Sequence, residues 1–448
     1  MPTLPSFGEA LRLWAYIGCV NFGGPAGQIA LMHKLLVEEK KWISDARYFH
    51  ALNYCMLLPG PEAQQLATYV GWLMHGVKGG LAAGLLFILP GALVMLGLSI
   101  LYVNYANLAV VNAIFYGVKA AVLAIVIEAI LRIAKRAFTG RAMIWIAAAA
   151  FVALFFFAIP FPLVVLAAAI VGVIGASHAP DQFRAKDHAA NGGITGAFAV
   201  DEAFARGELT HTRATGARTA TTVLIWLAIW LAPVIAIALA LGSDSTFTKL
   251  ATFFSTMSVV TFGGAYAVLA YVAQEAVATY QWLTAPEMLE GLALAETTPG
   301  PLILVLQHVG FLAAYREAGL LAGITGAAVT LWVTFAPSFL WIFAGAPYAE
   351  RIRNNRTASA ALAAITAAVV GVILNLAIWF ALHVVFAEVD TRDFGPLHLQ
   401  VPNPSTLDPL ALAIAALALL ALLRFKMPIL GLLGASAVLG LAAKLLLA

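Results

Sequence analysis

Long apolar segments constrain this chain more than any other feature of its sequence. About thirteen runs are long enough to cross a bilayer as helices, which takes roughly 17–25 residues at 1.5 Å each. Only 10% of the 448 residues are charged and 62% are hydrophobic, whereas soluble domains average about 25% charged residues. Lipid must therefore solvate most of the chain. This excludes an ordinary cytosolic enzyme, and we expect no nucleic-acid partner.

Helices are the expected form of these runs, because lipid offers no partner to an exposed backbone group. The sequence therefore predicts an all-α polytopic membrane protein. Four of the runs are interrupted by glycine and proline, and a proline inside a helix removes a donor and clashes with the preceding turn. The interruptions are Phe22-Gly23-Gly24-Pro25, Pro59-Gly60-Pro61, Phe262-Gly263-Gly264 and Pro299-Gly300-Pro301.

The positive charges distinguish two topologies. If every run crosses the membrane, loop 33–50, which holds four Lys and Arg residues, lies outside, and loop 275–287, which holds none, lies inside. Both placements contradict the positive-inside rule. If each interrupted run is instead a re-entrant hairpin, both loops move to the expected side. We therefore favour about nine crossing helices and four re-entrant hairpins, with the all-crossing arrangement as the alternative.

The chain also repeats itself. The Phe-Gly-Gly, Trp and Pro-Gly-Pro landmarks recur at one offset, with 262 − 22, 282 − 42 and 299 − 59 all equal to 240. An odd number of crossings separates corresponding points in either topology, so the halves are predicted to be inverted. Inverted repeats with broken helices are typical of secondary transporters, whose site lies near the midplane between the repeats. A duplicated passive scaffold is the alternative.

The repeat also sets the expected domain boundaries. We expect an N-terminal repeat over 1–176, a flexible cytoplasmic linker over 177–219, an inverted C-terminal repeat over 220–387 and a C-terminal helix pair over 388–448. The linker holds five Lys or Arg residues among acids and glycines outside any long apolar run.

The interruptions predict a site for an anion. Where a helix restarts, its first N–H groups have no internal partner and its dipole end is positive, and glycine allows close approach to the backbone. Packing kinks are the alternative for each interruption taken singly. The predicted binding residues at the interruptions and beside them are Asn21, Phe22, Gly23, Gly24, Pro59, Gly60, Pro61, Gln64, Phe262, Gly263, Gly264, Thr298, Pro299, Gly300 and Pro301.

Charged residues at membrane depth are costly and suggest function. Lys119 lies in the middle of an apolar run, where it is expected either to bind the anion or to reach an interface. Glu62, Glu128 and Glu296 are the candidate proton carriers, since a buried carboxyl group can hold a proton. Glu62 has the simpler alternative role of an acid at a helix N-terminus. The sequence contains no nucleotide-binding loop and no catalytic motif, and we predict neither enzyme activity, a cofactor nor a metal.

The repeated Phe-Gly-Gly, Trp and Pro-Gly-Pro pattern resembles the chromate ion transporter family in its long two-domain form. The matching segments are Asn21–Pro25, Leu58–Pro61, Val70-Gly71, Thr261–Gly264, Thr298–Pro301 and Val309-Gly310. The resemblance implies export of chromate from the bacterial cytoplasm across the inner membrane, driven by the proton motive force and conferring resistance. In the family, a polar amide often follows the first Pro-Gly-Pro, whereas this chain has Glu62.

Chromate or a sulfate-like oxyanion, protons and the lipid bilayer are accordingly the expected partners, and a homodimer is among the assemblies considered. A sulfate or other oxyanion transporter of the same fold is the first alternative. A channel-like or non-transporting scaffold protein is the alternative from another class.

Overall fold

The structure is a computed structural model that describes residues 3–22, 24–183, 197–213, 215–262, 265–349 and 356–447. Within these ranges the chain forms sixteen α-helices and one short β-hairpin. The helices are α1 (Phe7–Val20), α2 (Gly24–His33), α3 (Asp45–Cys55), α4 (Glu62–Tyr105), α5 (Ala109–Ala137), α6 (Arg141–Phe155), α7 (Phe161–His178), α8 (Ala199–Ala205), α9 (Gly216–Leu241), α10 (Thr246–Val260), α11 (Ala265–Gln274), α12 (Ala285–Thr297), α13 (Val305–Gly345), α14 (Arg356–Val385), α15 (Pro409–Phe425) and α16 (Ile429–Leu447).

The helix lengths confirm the predicted fold class. Six helical segments of the described chain are long and apolar enough to cross a membrane, so the chain is an all-α polytopic membrane protein. The choice between re-entrant and crossing segments stays a prediction, as does the inverted orientation of the repeats.

The chain forms two compact units, and each unit draws on several separate segments. The first unit consists of Met1–Leu96, Asp187–Ala265 and Thr298–Arg356. The second consists of Gly97–Lys186, Tyr266–Thr297 and Thr357–Ala448. The two units are defined by which segments pack together, whereas the predicted domain boundaries are defined by the repeat in the sequence. The predicted domain boundaries therefore remain a prediction.

All four predicted interruptions break a helix. Non-helical residues separate α1 from α2, α3 from α4, α10 from α11, and α12 from the short 3-10 turn Leu302–Leu304 that precedes α13. At both Pro-Gly-Pro sequences the glycine takes a positive φ, +114° at Gly60 and +102° at Gly300, which a residue with a Cβ rarely adopts. These positions therefore require glycine for the backbone turn itself.

Other equivalent positions of the two halves also have the same backbone conformation. Lys41 and Gln281, 240 residues apart, both have a φ of 53°. The long helices α4 and α13 each bend sharply at a two-residue break, His75-Gly76 in one and Ala318-Gly319 in the other. The repeat therefore extends to positions that no sequence landmark marks.

The second unit packs α15 and α16 against α5. A Cβ on Gly117 of α5 would lie 1.8 Å from the carbonyl oxygen of Ser436 on α16, so only glycine allows this close packing. The strands β1 (Val389–Phe394) and β2 (Leu397–Pro402) pair in antiparallel register between α14 and α15. The sequence analysis assigned residues 388–448 to the C-terminal helix pair and did not predict this hairpin, although Leu397, Leu399 and Val401 alternate with polar residues along β2.

Within the predicted linker over 177–219, helix α8 packs in the first unit. Helix α8 is held in the first unit by Asp201, whose carboxylate accepts hydrogen bonds from the Ser44 backbone and hydroxyl groups and lies 3.0 Å from Arg47 Nε. Val200 and Ala203 are fully buried. The analysis missed this packing because small apolar residues in a seven-residue helix give a weak periodic signal.

We expect acid to loosen the end of this segment. His211 Nε2 donates to the Trp72 carbonyl oxygen at 2.8 Å; burial lowers the pKa of His211, the Trp72 hydrogen bond opposes that shift, and nearby Arg218 reinforces it. A lowered pKa means that the unfolded segment binds more protons than the docked one. Docking should therefore be strongest above the ordinary histidine pKa of about 6.5 and weaken as the pH falls below it.

Hydrogen exchange of residues 209–213, measured between about pH 8 and 5 and corrected for intrinsic rates, tests this expectation. His211→Gln, which keeps a donor but cannot titrate, should show flat protection. The same pH profile in that variant would contradict the role of His211.

Candidate functional site

The four interruptions meet in the first unit through two reciprocal hydrogen bonds. The Gly60 N–H donates to the Thr261 carbonyl at 2.8 Å, and the Gly300 N–H donates to the Asn21 carbonyl at 3.3 Å. Both donors are the central glycines of a Pro-Gly-Pro, and both acceptors precede a Phe-Gly-Gly. Because 261 − 21 and 300 − 60 both equal 240, each half supplies a donor to the other half's equivalent acceptor.

A buried glutamine strengthens one of these contacts. Gln28 Nε2 donates to the Asn21 carbonyl at 3.0 Å and to the Gly300 carbonyl at 2.6 Å. Both protons of this amide nitrogen are therefore used by carbonyl groups that the two interruptions leave without helical partners. Gln65 acts similarly at the first Pro-Gly-Pro, where its Nε2 donates to the Pro59 carbonyl at 2.7 Å.

Close backbone contact fixes the second Pro-Gly-Pro against α4. A Cβ placed on Gly91 would lie 2.0 Å from the Pro299 carbonyl oxygen. Pro90 precedes Gly91 inside α4, and a proline there disrupts the hydrogen bonds of the preceding turn. Asn21 Nδ2 donates to one carbonyl of that turn, Phe87, at 3.3 Å. Asn21 and Pro299 thus attach the first Phe-Gly-Gly and the second Pro-Gly-Pro to the same stretch of α4.

The amides of Gly60 and Gly300 are already engaged, since both donate across the repeat. Asn21 and Gln64 likewise have amide nitrogens that are already engaged, Gln64 with the Thr68 hydroxyl at 3.1 Å. Four buried side-chain oxygens near the interruptions have no hydrogen-bond partner in the described protein. They belong to Asn21, Gln28, Gln64 and Gln65. Free donors at the interruptions are therefore expected only in the first turns of the helices, where N–H groups lack intrahelical partners.

The second unit holds a charged cluster around Lys119. Lys119 Nζ lies 3.0 Å from Glu290 Oε1, and the Tyr102 hydroxyl donates to Glu290 Oε2 at 2.6 Å. The side chains of Lys119 and Glu290 are only 20% and 11% exposed. Both oxygens of the carboxylate are thus occupied, and the lysine charge is neutralised by its neighbour.

Two of the candidate proton carriers also lie in the second unit, each with a partner. The Tyr266 hydroxyl donates to Glu296 Oε1 at 2.7 Å, and Glu296 is buried. Glu128 Oε2 pairs with Arg132 Nη2 one turn along α5 at 3.1 Å. The third candidate, Glu62, is the first residue of α4 in the first unit.

The structure separates the predicted site residues into two groups. Those described in the first unit are Asn21, Phe22, Gly24, Pro59, Gly60, Pro61, Glu62, Gln64, Phe262, Thr298, Pro299, Gly300 and Pro301. Lys119, Glu128 and Glu296 belong to the second unit, and Gly23, Gly263 and Gly264 lie outside the described residues. The sequence analysis missed Glu290, although an acid within the apolar run 288–313 met the same criterion that selected Lys119.

Comparison with known proteins identifies the family. The chromate transporter family model matches residues 8–173 and 248–441, which include all four interruptions. The chain belongs to the chromate transporter family. Members of this family are transporters, and the chain is accordingly a multi-pass membrane protein, as the six apolar helical segments also indicate.

Individual relatives agree with this family. The chain is 31% identical to a chromate transport protein of Pseudomonas aeruginosa over 70% of its own length and 68% of the relative's. It is 29% identical to a chromate transport protein of Cupriavidus metallidurans over 66% of its own length and 65% of the relative's. No solved structure matches the chain.

Alanine at either Pro-Gly-Pro glycine should destabilise the fold. In Gly60→Ala the Cβ would lie 2.8 Å from Gln65 Nε2, and in Gly300→Ala 2.9 Å from Leu304 Cδ1, in addition to the strain of a positive φ. We expect each to cost about 1–3 kcal/mol, seen as a lower melting temperature in detergent. Gly97→Ala, with nothing within 4 Å of its Cβ, is the matched control. Equal stability of all three variants would contradict the argument.

The Lys119–Glu290 pair should behave as one neutral unit. Lys119→Met leaves the Glu290 charge uncompensated, a loss worth up to about 3–5 kcal/mol for a buried pair, whereas Lys119→Met combined with Glu290→Gln should recover most of that stability. A double-mutant cycle of unfolding free energies measures the coupling. Additive effects of the two single substitutions would show that the pair is not coupled. Transport by the stable double variant would exclude Lys119 as the cation that binds the substrate.

Proposed function

We propose that this chain exports chromate, or a closely related tetrahedral oxyanion, across the bacterial inner membrane, and that the proton motive force drives the export. Export of chromate from the cytoplasm would confer resistance to it. Two observations support the proposal: the chain belongs to the chromate transporter family, and its helix interruptions lie together. The names of the Pseudomonas and Cupriavidus relatives support chromate as the substrate, while direction and energy coupling are our own inferences.

The observation that carries the proposal is the reciprocal pair of hydrogen bonds from Gly60 to Thr261 and from Gly300 to Asn21. They hold the interruptions of both halves together in one compact unit. The helix starts at Gly24, Glu62 and Leu302 therefore belong to that same unit. A helix start favours an anion through its unpaired N–H groups and its partial positive charge, and several starts together suit a ligand with acceptors on every side.

The unpartnered amide oxygens refine the chemistry of the ligand. Asn21, Gln28, Gln64 and Gln65 are fully buried, and each has a side-chain oxygen that can only accept a hydrogen bond. A tetrahedral oxyanion that carries one proton has a hydroxyl donor for such an oxygen and acceptor oxygens for the helix starts. A fully ionised oxyanion lacks the donor. This combination supports recognition of the singly protonated form at the site.

Carboxylates provide a route by which protons can move inward while the anion moves outward. Glu62 begins α4 directly after Pro61, in the unit that holds the interruptions. Glu296 lies one residue before the end of α12, which leads into Thr298 and the second Pro-Gly-Pro. We propose Glu62 and Glu296 as the groups that exchange protons during transport. Glu128 is the weaker candidate, because its carboxylate is already paired with Arg132.

The alternative functions differ in the ion that is transported and in the kinetics of its flux. Sulfate has the same shape and charge as chromate, so a sulfate transporter would use the same arrangement of helix starts. A channel would show flux that does not saturate and does not respond to a proton gradient, and a scaffold would show none.

Uptake of radioactive chromate into inside-out vesicles, with an imposed pH gradient and with sulfate as competitor, tests the proposal. We expect saturable uptake that requires the gradient. Gln64→Met, which removes the buried oxygen but keeps the volume, should lower uptake by about 10–150-fold, the range expected for a lost hydrogen bond of about 1.5–3 kcal/mol to a charged ligand.

Gln400→Met is the matched control for Gln64→Met, because Gln400 lies in the β-hairpin of the second unit and also has an unpartnered side-chain oxygen. It should transport at the wild-type rate. Uptake of sulfate but not chromate would favour the sulfate transporter, and uptake without saturation would favour a channel. Normal uptake by Gln64→Met would refute the binding role of its amide.

A further inference from the structure

A basic cleft lies at the C-terminal end of α5 in the second unit, and the transport argument above does not use its basic residues. Five residues of α5 line the cleft, and a sixth, Leu423, comes from the end of α15. The cleft has a volume of about 300 Å³. The α5 residues are Glu128, Leu131, Arg132, Lys135 and Arg136, spaced alternately by three and one, which places them on one face of the helix.

The charge of the cleft is strongly positive. Arg132, Lys135 and Arg136 contribute three positive charges and Glu128 one negative charge, which leaves a net charge of +2. Glu128 is committed to Arg132 at 3.1 Å. Among the residues that the structure describes, Lys135 and Arg136 have no ion-pair partner. Two adjacent cations are therefore available to an anionic ligand.

Apolar side chains border these cations. Leu131 is 43% exposed, Leu423 is 47% exposed and Phe425 is more exposed still. They lie at the ends of α5 and α15, two apolar helices that pack against each other. A free inorganic anion would gain nothing from the leucines, whereas a molecule with a negative head and a hydrocarbon chain would contact both kinds of group.

We propose that this cleft binds the headgroup of an anionic phospholipid. The phosphodiester lies between Lys135 and Arg136, and an acyl chain follows Leu131 and Leu423 toward the membrane interior. Basic pockets between membrane helices on the cytoplasmic side commonly accept such headgroups. The positive-inside rule also predicts that the basic end of α5 faces the cytoplasm.

Native mass spectrometry of the full chain in detergent, titrated with phosphatidylglycerol or phosphatidylcholine, tests the proposal. We expect the wild-type protein to prefer phosphatidylglycerol. The variant Lys135→Gln/Arg136→Gln should bind it roughly 30-fold more weakly, because each basic residue near the membrane surface contributes about 1 kcal/mol and 1.4 kcal/mol corresponds to tenfold. Leu131→Ser/Leu423→Ser should also weaken binding, although it changes no charge.

Lys40→Gln/Lys41→Gln is the matched control, since it removes two exposed lysines from a loop of the first unit. This variant should bind phosphatidylglycerol as the wild type does. Undiminished binding by Lys135→Gln/Arg136→Gln would overturn the proposal and leave these residues as cations that stabilise the C-terminus of α5. Equal affinity for phosphatidylcholine, or complete displacement of the lipid by millimolar inorganic phosphate, would overturn it as well.

Discussion

A backbone group that is exposed where a helix breaks has no water to bind inside a membrane, so it must find a partner in another part of the protein. The first unit meets this requirement by pairing its interruptions with one another. Gly60 and Gly300 donate across the repeat, and the Gln28 amide nitrogen satisfies carbonyl groups on both sides. The breaks that weaken individual helices are thus what join the two halves of the sequence in one compact unit.

Charge in the second unit follows the same principle of local compensation. Lys119 is neutralised by Glu290, which also accepts a hydrogen bond from Tyr102, and Glu296 accepts one from Tyr266. A buried charge without a partner keeps its desolvation cost, because no opposite charge offsets it. The cations at the end of α5 differ, because Lys135 and Arg136 have no ion-pair partner within the described chain. Their neighbours are exposed leucines, which is why a lipid is the ligand that suits them.

The accuracy of the sequence analysis depended on how local each signal was. Proline and glycine act on their own backbone, so the interruptions at residues 59–61 and 299–301 were predicted correctly, and the repeat led to the family. The pairing of Gly60 with Thr261 was not foreseen, because it joins residues 201 positions apart and no local pattern encodes it. The packing of α8 was missed because that helix is short, and the β-hairpin was missed although the apolar residues of β2 alternate with polar ones.

By itself, the sequence determined that the chain is a membrane protein, where its helices break and which family it belongs to. These properties follow from hydropathy and from the dihedral limits of glycine and proline, which each residue carries wherever it lies. Only the tertiary structure decided which donors are free. The glycine amides and the amide nitrogens of Asn21 and Gln64 were all plausible ligands for an anion, and packing used them for internal carbonyl groups. Partner choice depends on distances across the fold, and a linear pattern contains no such distances.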